Sequence, residues 1–247
     1  MKQLSLKFSL IAILASLLVM PVLVSAQEDG NSEVVASVNG ERITMQELEK
    51  SALENAKSQI NQLAGMLRRF RPNFARFLAT NDTVAQEYSD YIKSSVLNAI
   101  IEDTLIKQKE EEYGITVSDE EVQSKLQELI DSTESIKDKK ALEQILASRN
   151  TKMEDFETSI ANNLKREKLR DEIVGEVTID DEDIEKYYNN NKNQFKKEDG
   201  SVKPLEDVKG QIVDTLKNQE KQQKWNEWLN NAKEEADIQN NLETSNQ

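Results

Sequence analysis

The chain has 247 residues, 46 acidic against 32 basic, a formal net charge of −14, and neither histidine nor cysteine. A surface this acidic repels nucleic acid and anionic lipid, and the missing residue types remove the usual general base, the soft metal ligands, thiol nucleophiles and disulfides. Seven glycines, three prolines and 32% charged residues, arranged in long 3.6-residue patterns, imply helices around one or two modest cores rather than a large sheet.

Residues 1–26 read as a secretion signal, with Lys2 and Lys7 as the positive region, Phe8 to Met20 as the apolar core and Val24-Ser25-Ala26 before the cut. The apolar run is shorter than the ~20 residues needed to span a bilayer and leads into Pro21, so cleavage before Gln27 is favoured over retention as an anchor. Cleavage takes the charge to −16 and leaves an exported protein with no thiol to acylate.

Val34 to Val38 has strand propensity and runs into Asn39-Gly40, a tight-turn dipeptide, then into a short extended piece at Glu41 to Ile43. Thr44 and Glu47 form a capping box, with Ile43 and Leu48 as the hydrophobic staple of a helix. A lone hairpin is unstable in water, and the other short apolar stretch outside a helical pattern is Ala236 to Gln239. The two ends of the exported chain are therefore expected to meet in one small sheet.

A helical stripe follows through Met45, Leu48, Ala52, Ala56, Ile60, Leu63, Leu67, Phe70 and Phe74, with a bend at Arg71-Pro72. A second helix is expected from Val84 to Tyr113, capped near Asn81 and closed by Gly114. Capping boxes at Ser118/Glu121 and Thr151/Glu154 start two more, with a short helix bearing Leu142, Ile145 and Leu146 between them. Val177 to Ile184 repeats the Ile115 to Val122 pattern, with Asp180 as cap. A loop at Lys196 to Lys203 then precedes a long last helix over 204–235, carrying Val208, Ile212, Leu216, Trp225, Trp228 and Leu229. Residues 240–247 read as a polar, disordered tail.

The VVAxVNG strand with its I-T-x-x-E-L helix start resembles the opening of the SurA, PrsA and PpiD family of extracytoplasmic chaperones. The ITVSDEEV segment, the T-x-x-E-x-F helix at Thr151 to Phe156, VTIDDEDIEKYY, and the final K-P-L-E-D-V-K-G-Q-I helix with W-N-E-W-L extend the resemblance over nearly the whole exported chain. It implies a mainly α fold, a multi-helix SurA N-terminal-like domain over 27–239 whose small β element joins the N- and C-terminal segments. Family members carry a parvulin-type prolyl isomerase domain between the Y-Y helix and the K-P helix. Here that gap is Lys196 to Val202, and parvulin sites use histidines, so the domain is expected to be lacking and the chain is expected not to be an enzyme.

The acidic run Asp180 to Asp183 invites a metal or acid/base reading, but its place at a helix start explains it as capping. No catalytic, cofactor or metal residue is assigned. Trp225 and Trp228 are assigned to packing. Gly65 to Leu78 holds Phe70, Phe74 and Phe77, three of the five phenylalanines of the exported chain, and four of its eight arginines. Such a segment fits either a core helix or an adaptable binding lip. Met66, Leu67, Phe70, Phe74, Phe77 and Leu78 are the candidate client-binding residues.

The resulting expectation is an exported, ATP-independent holding chaperone for unfolded or nascent exported polypeptides, in transient proximity to the membrane. It needs no nucleic acid, cofactor or small-molecule substrate. The alternative is a structural adaptor for one envelope partner.

Overall fold

The computed structural model describes residues 33–133, 135–148, 151–197 and 199–242. The expected signal and positions 243–247 lie outside the described residues. The chain divides into two compact units, one made of Met1–Arg166 with Ala236–Gln247, the other of Glu167–Glu235.

In the first unit, β1 (Val34–Val38) and β2 (Glu41–Thr44) form the expected hairpin, with Ser37 opposite Arg42 and Val38 opposite Glu41. Asn39 at φ 50° and Gly40 at φ 87° make the turn, the backbone geometry that their dipeptide favours. A register shift between Val34 and Ala36 marks a bulge, where Val35 and Ala36 are both buried despite being neighbours. β3 (Ile238–Asn240) pairs antiparallel with the other edge of β1, placing Ile238 opposite Val38, in the strand order β2-β1-β3. The ends of the described chain do meet, slightly beyond the expected 236–239. Ordered contacts continue past residue 240, since the Asn241 N–H donates to the Val35 carbonyl at 2.8 Å and Leu242 is buried.

α1 (Met45–Leu67) begins with the capping box, in which the Glu47 N–H donates to Thr44 Oγ1 at 3.3 Å and the Thr44 N–H donates to Glu47 Oε2 at 2.8 Å. Its buried residues are Leu48, Ala52, Ala56, Ile60 and Ala64, so its far half presents mainly small side chains to its neighbours. α2 (Pro72–Thr80) has Pro72 in its first turn, folds back on α1, and itself buries only Ala75. α3 (Asp82–Glu112) is capped by Asn81 and packs on α1 and β1 through a face that includes Ile92, Val96, Ile100 and Leu105. Gly114, at φ 65°, follows its end.

α4 (Asp119–Ser132), α5 (Lys139–Ser148) and the first part of α6 (Met153–Val174) enclose a separate core of Val122, Leu126, Ile130, Ile136, Leu142, Leu146, Phe156 and Ile160. The Ser118/Glu121 box is formed. α6 starts one residue later than a Thr151 cap would place it, because the Phe156 N–H bonds to the Lys152 carbonyl.

The second unit contains the end of α6, α7 (Asp181–Asn190), a 3-10 turn (Lys192–Phe195) and α8 (Leu205–Glu235). Ile184, Phe195, Val208 and Ile212 form its core, with Tyr187, Tyr188 and Leu216 packed against them. Asp180 caps α7 by accepting from the Asp183 N–H at 2.8 Å, and Asp181 pairs with Lys209 on α8 at 2.6 Å. The acidic run is thus used at the helix start and in a surface pair.

Candidate functional site

The α1–α2 corner carries the candidate residues. α1 ends at Leu67, four residues turn the chain, and Pro72 restarts it, so the apolar stripe read through Leu63, Leu67, Phe70 and Phe74 does not continue along one helix. What faces α1 from α2 is small. With Ala75 buried there and Ala64 buried on α1, the helices cover alanine and leave the large side chains outside. Phe70 is 78% exposed, Phe74 48%, Phe77 49% and Met66 68%, while Leu67 and Leu78 are half-buried. The Phe74 and Phe77 rings stack with centroids 6.3 Å apart and planes at 16°. The corner therefore exposes Met66, Phe70 and the stacked Phe74–Phe77 pair together with the side chains of Arg68, Arg69, Arg71 and Arg76.

Leu63, part of the helical stripe, is exposed as well, and on α3 the Tyr88 ring stacks on the exposed Tyr91 at 6.2 Å while its hydroxyl donates to Gln59 on α1 at 2.7 Å. Neither Leu63 nor Tyr91 is among the client-binding residues expected from sequence. Only the shortness of α2, read beside the alanine-rich face of α1, could have signalled that no partner is large enough to cover them.

Also missed was a charged group inside the first unit. Asp103 and Glu110 are buried on α3; Asp103 accepts from Arg166 of α6 and pairs with Lys107 at 3.0 Å. Burial pushes the Glu110 carboxyl above its ordinary range, with the Asp103 charge adding to it and Arg166, Lys165 and Lys107 opposing. The spacing 96, 100, 103, 107, 110 continues the buried face of α3 and was the available signal.

In the second unit, α7 and α8 flank a cleft of about 530 Å³ lined by Ile179, Tyr187, Leu216, the amides Asn190, Asn191, Gln219 and Gln223, and several charged side chains. Trp225 is buried against Trp228, with ring centroids 4.7 Å apart, and the Arg170 guanidinium lies 6.0 Å over the Trp225 ring. Among the described residues no helix is long and apolar enough to cross a membrane.

Two family models match: the SurA-like N-terminal domain over residues 1–170 and the PPIC-type PPIase domain over residues 179–247. The second match corrects the expectation that the isomerase domain is lacking, and with it the expectation that the chain is not an enzyme. That expectation rests on the short Lys196 to Val202 gap and the missing histidines, whereas the match falls on α7, the 3-10 turn, α8 and β3 themselves. Chemically, too, the exclusion was too strong, because turning an X–Pro bond breaks no covalent bond and transfers no proton.

The foldase protein PrsA of Clostridium perfringens is 26% identical over 172 residues, covering 68% of this chain and 45% of the relative. That of Caldanaerobacter subterraneus is 28% identical over 171 residues, covering 69% and 47%. The chain thus spans about half the length of the curated relatives it matches. A chain from the structures of PEB4 and Cj1289, described as SurA-like chaperones of Campylobacter jejuni, shares the fold at a TM-score of 0.53 and 14% identity, over 85% of this chain and 99% of that one. With the N-terminal model spanning its first 170 residues, the chain belongs to the SurA-like N-terminal domain family.

Proposed function

We propose that the protein is an exported, ATP-independent chaperone that holds unfolded or partly folded polypeptides at the α1–α2 corner. The observation that carries this reading is the exposure of Met66, Phe70, Phe74 and Phe77 on one short helical hairpin, a cluster that a self-contained fold gains nothing by leaving in water. Such a surface gives many weak, sequence-tolerant contacts with an extended chain, while the acidic remainder keeps the complex soluble. The signal-like residues 1–26 and the kinship with PrsA support export.

Replacing Phe70, Phe74 and Phe77 together by serine tests it. Three buried phenylalanines would cost roughly 3–5 kcal/mol each and unfold the chain. Because these three are exposed, the melting curve should stay nearly unchanged while suppression of aggregation falls for several unrelated clients. Full holding activity in the stable variant would move the site elsewhere, and protection of one client alone would favour the adaptor reading.

The PPIC-type match supports a second activity, acceleration of X–Pro isomerisation by the second unit. The α7–α8 cleft is the candidate surface there, since Tyr187 and Leu216 offer apolar contact beside amides that can bond a peptide backbone. A proline-limited refolding assay should show a faster slow phase with the protein, and Tyr187→Ala should reduce the acceleration. An unchanged slow phase would remove this activity.

A further inference from the structure

The apolar corner lies in an unusual electrostatic setting. From Asn55 to Asn81 the chain contains no aspartate or glutamate, although acids make up 46 of the 247 residues. Within that stretch Arg68, Arg69, Arg71 and Arg76 are all exposed. Elsewhere lysines find carboxylates, as in Lys93 with Glu49 and Asp90, Lys139 with Glu157, and Lys209 with Asp181. Among the described residues none of the four arginines has an ion-pair partner. Lys57 of the same stretch pairs with Asp82 at its border, 3.5 Å away, so the segment carries no carboxylate of its own and the four exposed guanidinium groups have no ion pair among the described residues.

Guanidinium groups match carboxylates in a planar, two-bond geometry and also stack on rings, so the corner is complementary to a ligand that supplies both acidic and apolar side chains. We propose that the α1–α2 corner selects unfolded polypeptide segments in which carboxylates alternate with apolar residues, and disfavours basic ones. This rests on the client-holding reading above and adds the class of client. A flexible segment is favoured over an anionic bilayer as the occupant because of geometry. At physiological salt a charge is felt over about 8 Å, so a peptide engaged at the corner escapes the acidic remainder, whereas a flat anionic surface would face it.

The test uses the full chain and three labelled, unstructured peptides that share their apolar residues and carry Glu, Ser or Lys between them. Fluorescence anisotropy should rank them acidic, neutral, basic, with acidic over basic by at least about tenfold, as four exposed pairs of modest strength together allow. The preference should shrink as ionic strength rises from about 0.01 M to about 1 M, where the screening length falls from ~30 Å to ~3 Å. Reversing the four arginines (R68E, R69E, R71E and R76E together) should reverse the ranking. The four corresponding Arg→Gln changes should abolish it and serve in place of the reversal if circular dichroism shows that variant unfolded.

Equal binding of all three peptides, lost on replacing Phe70, Phe74 and Phe77 by serine, would overturn the charge selection and leave the client-holding reading standing. Failure of the native chain to bind any peptide would overturn both. Displacement of the acidic peptide by phosphatidylglycerol vesicles, with no such effect from phosphatidylcholine vesicles, would assign the corner to a membrane surface and overturn the proposal.

Discussion

Glu110 shows how much one residue's behaviour depends on its surroundings. It lies two turns beyond Asp103 on the buried face of α3, and burial holds its carboxyl above the ordinary range. A raised folded-state value means that the native chain keeps its proton where the unfolded chain has released it. Stability is then unaffected by this group below the unfolded carboxylate value of about 4.3 and falls as pH rises through the folded value. Glu110→Gln should remove that fall. The difference in urea midpoint between variant and native chain should therefore grow in the variant's favour from about pH 4 towards neutrality. A difference independent of pH would show that Glu110 titrates normally in the fold. Arg166, Lys165 and Lys107 limit the effect, since their charges favour the ionised form.

Among the elements, the three-stranded sheet depends on the turn at its centre. Asn39 is the one non-glycine residue at positive φ among the described residues, and its side chain binds two other elements. Its Nδ2 donates to Gln108 Oε1 of α3 at 2.8 Å and its Oδ1 accepts from the Asp237 N–H just before β3 at 2.9 Å. Gln108 in turn donates to the Val38 carbonyl at 3.0 Å and to Glu41 Oε2 at 2.9 Å. The turn thus joins the hairpin, the C-terminal strand and the longest helix of its unit. Asn39→Gly keeps the backbone freedom and loses the side-chain bonds, so it should cost about 1 kcal/mol, whereas Asn39→Ala also strains the turn and should cost about 2–3 kcal/mol. Equal costs in urea titration would mean that the backbone conformation contributes nothing.

At the level of the whole molecule, the two units have separate cores, and the first is interrupted in sequence by the second, since β3 follows α8. Both tryptophans, Trp225 and Trp228, belong to the second unit. Tryptophan fluorescence should therefore follow unfolding of the second unit, while circular dichroism follows all the helices. The two transitions are expected at different urea midpoints, because loss of the second unit leaves β1 and β3 joined by a longer loop at a modest entropic cost. Coincident transitions would show that the units unfold as one.

Local patterns sufficed for the hairpin, the Thr44 and Ser118 capping boxes, the Asn81 and Asp180 caps, the Gly114 stop and the helical fold class, since each of these rests on bonds between residues at most about ten apart in the chain. The meeting of β1 with the C-terminal strand was also legible, because few apolar segments outside the helices were available to pair. The fate of the aromatic stripe was not. Periodicity says that Leu63, Phe70 and Phe74 share a spacing, and it is silent about whether a partner helix is long and bulky enough to cover them. α2 covers only alanine, so they stay in water. The buried charges of α3 were hidden for the same reason, because an acid on an apolar face is tolerated only where another element delivers a cation, and Arg166 lies 63 residues from Asp103. Burial and charge pairing are properties of elements brought together, and three-dimensional packing alone settles them.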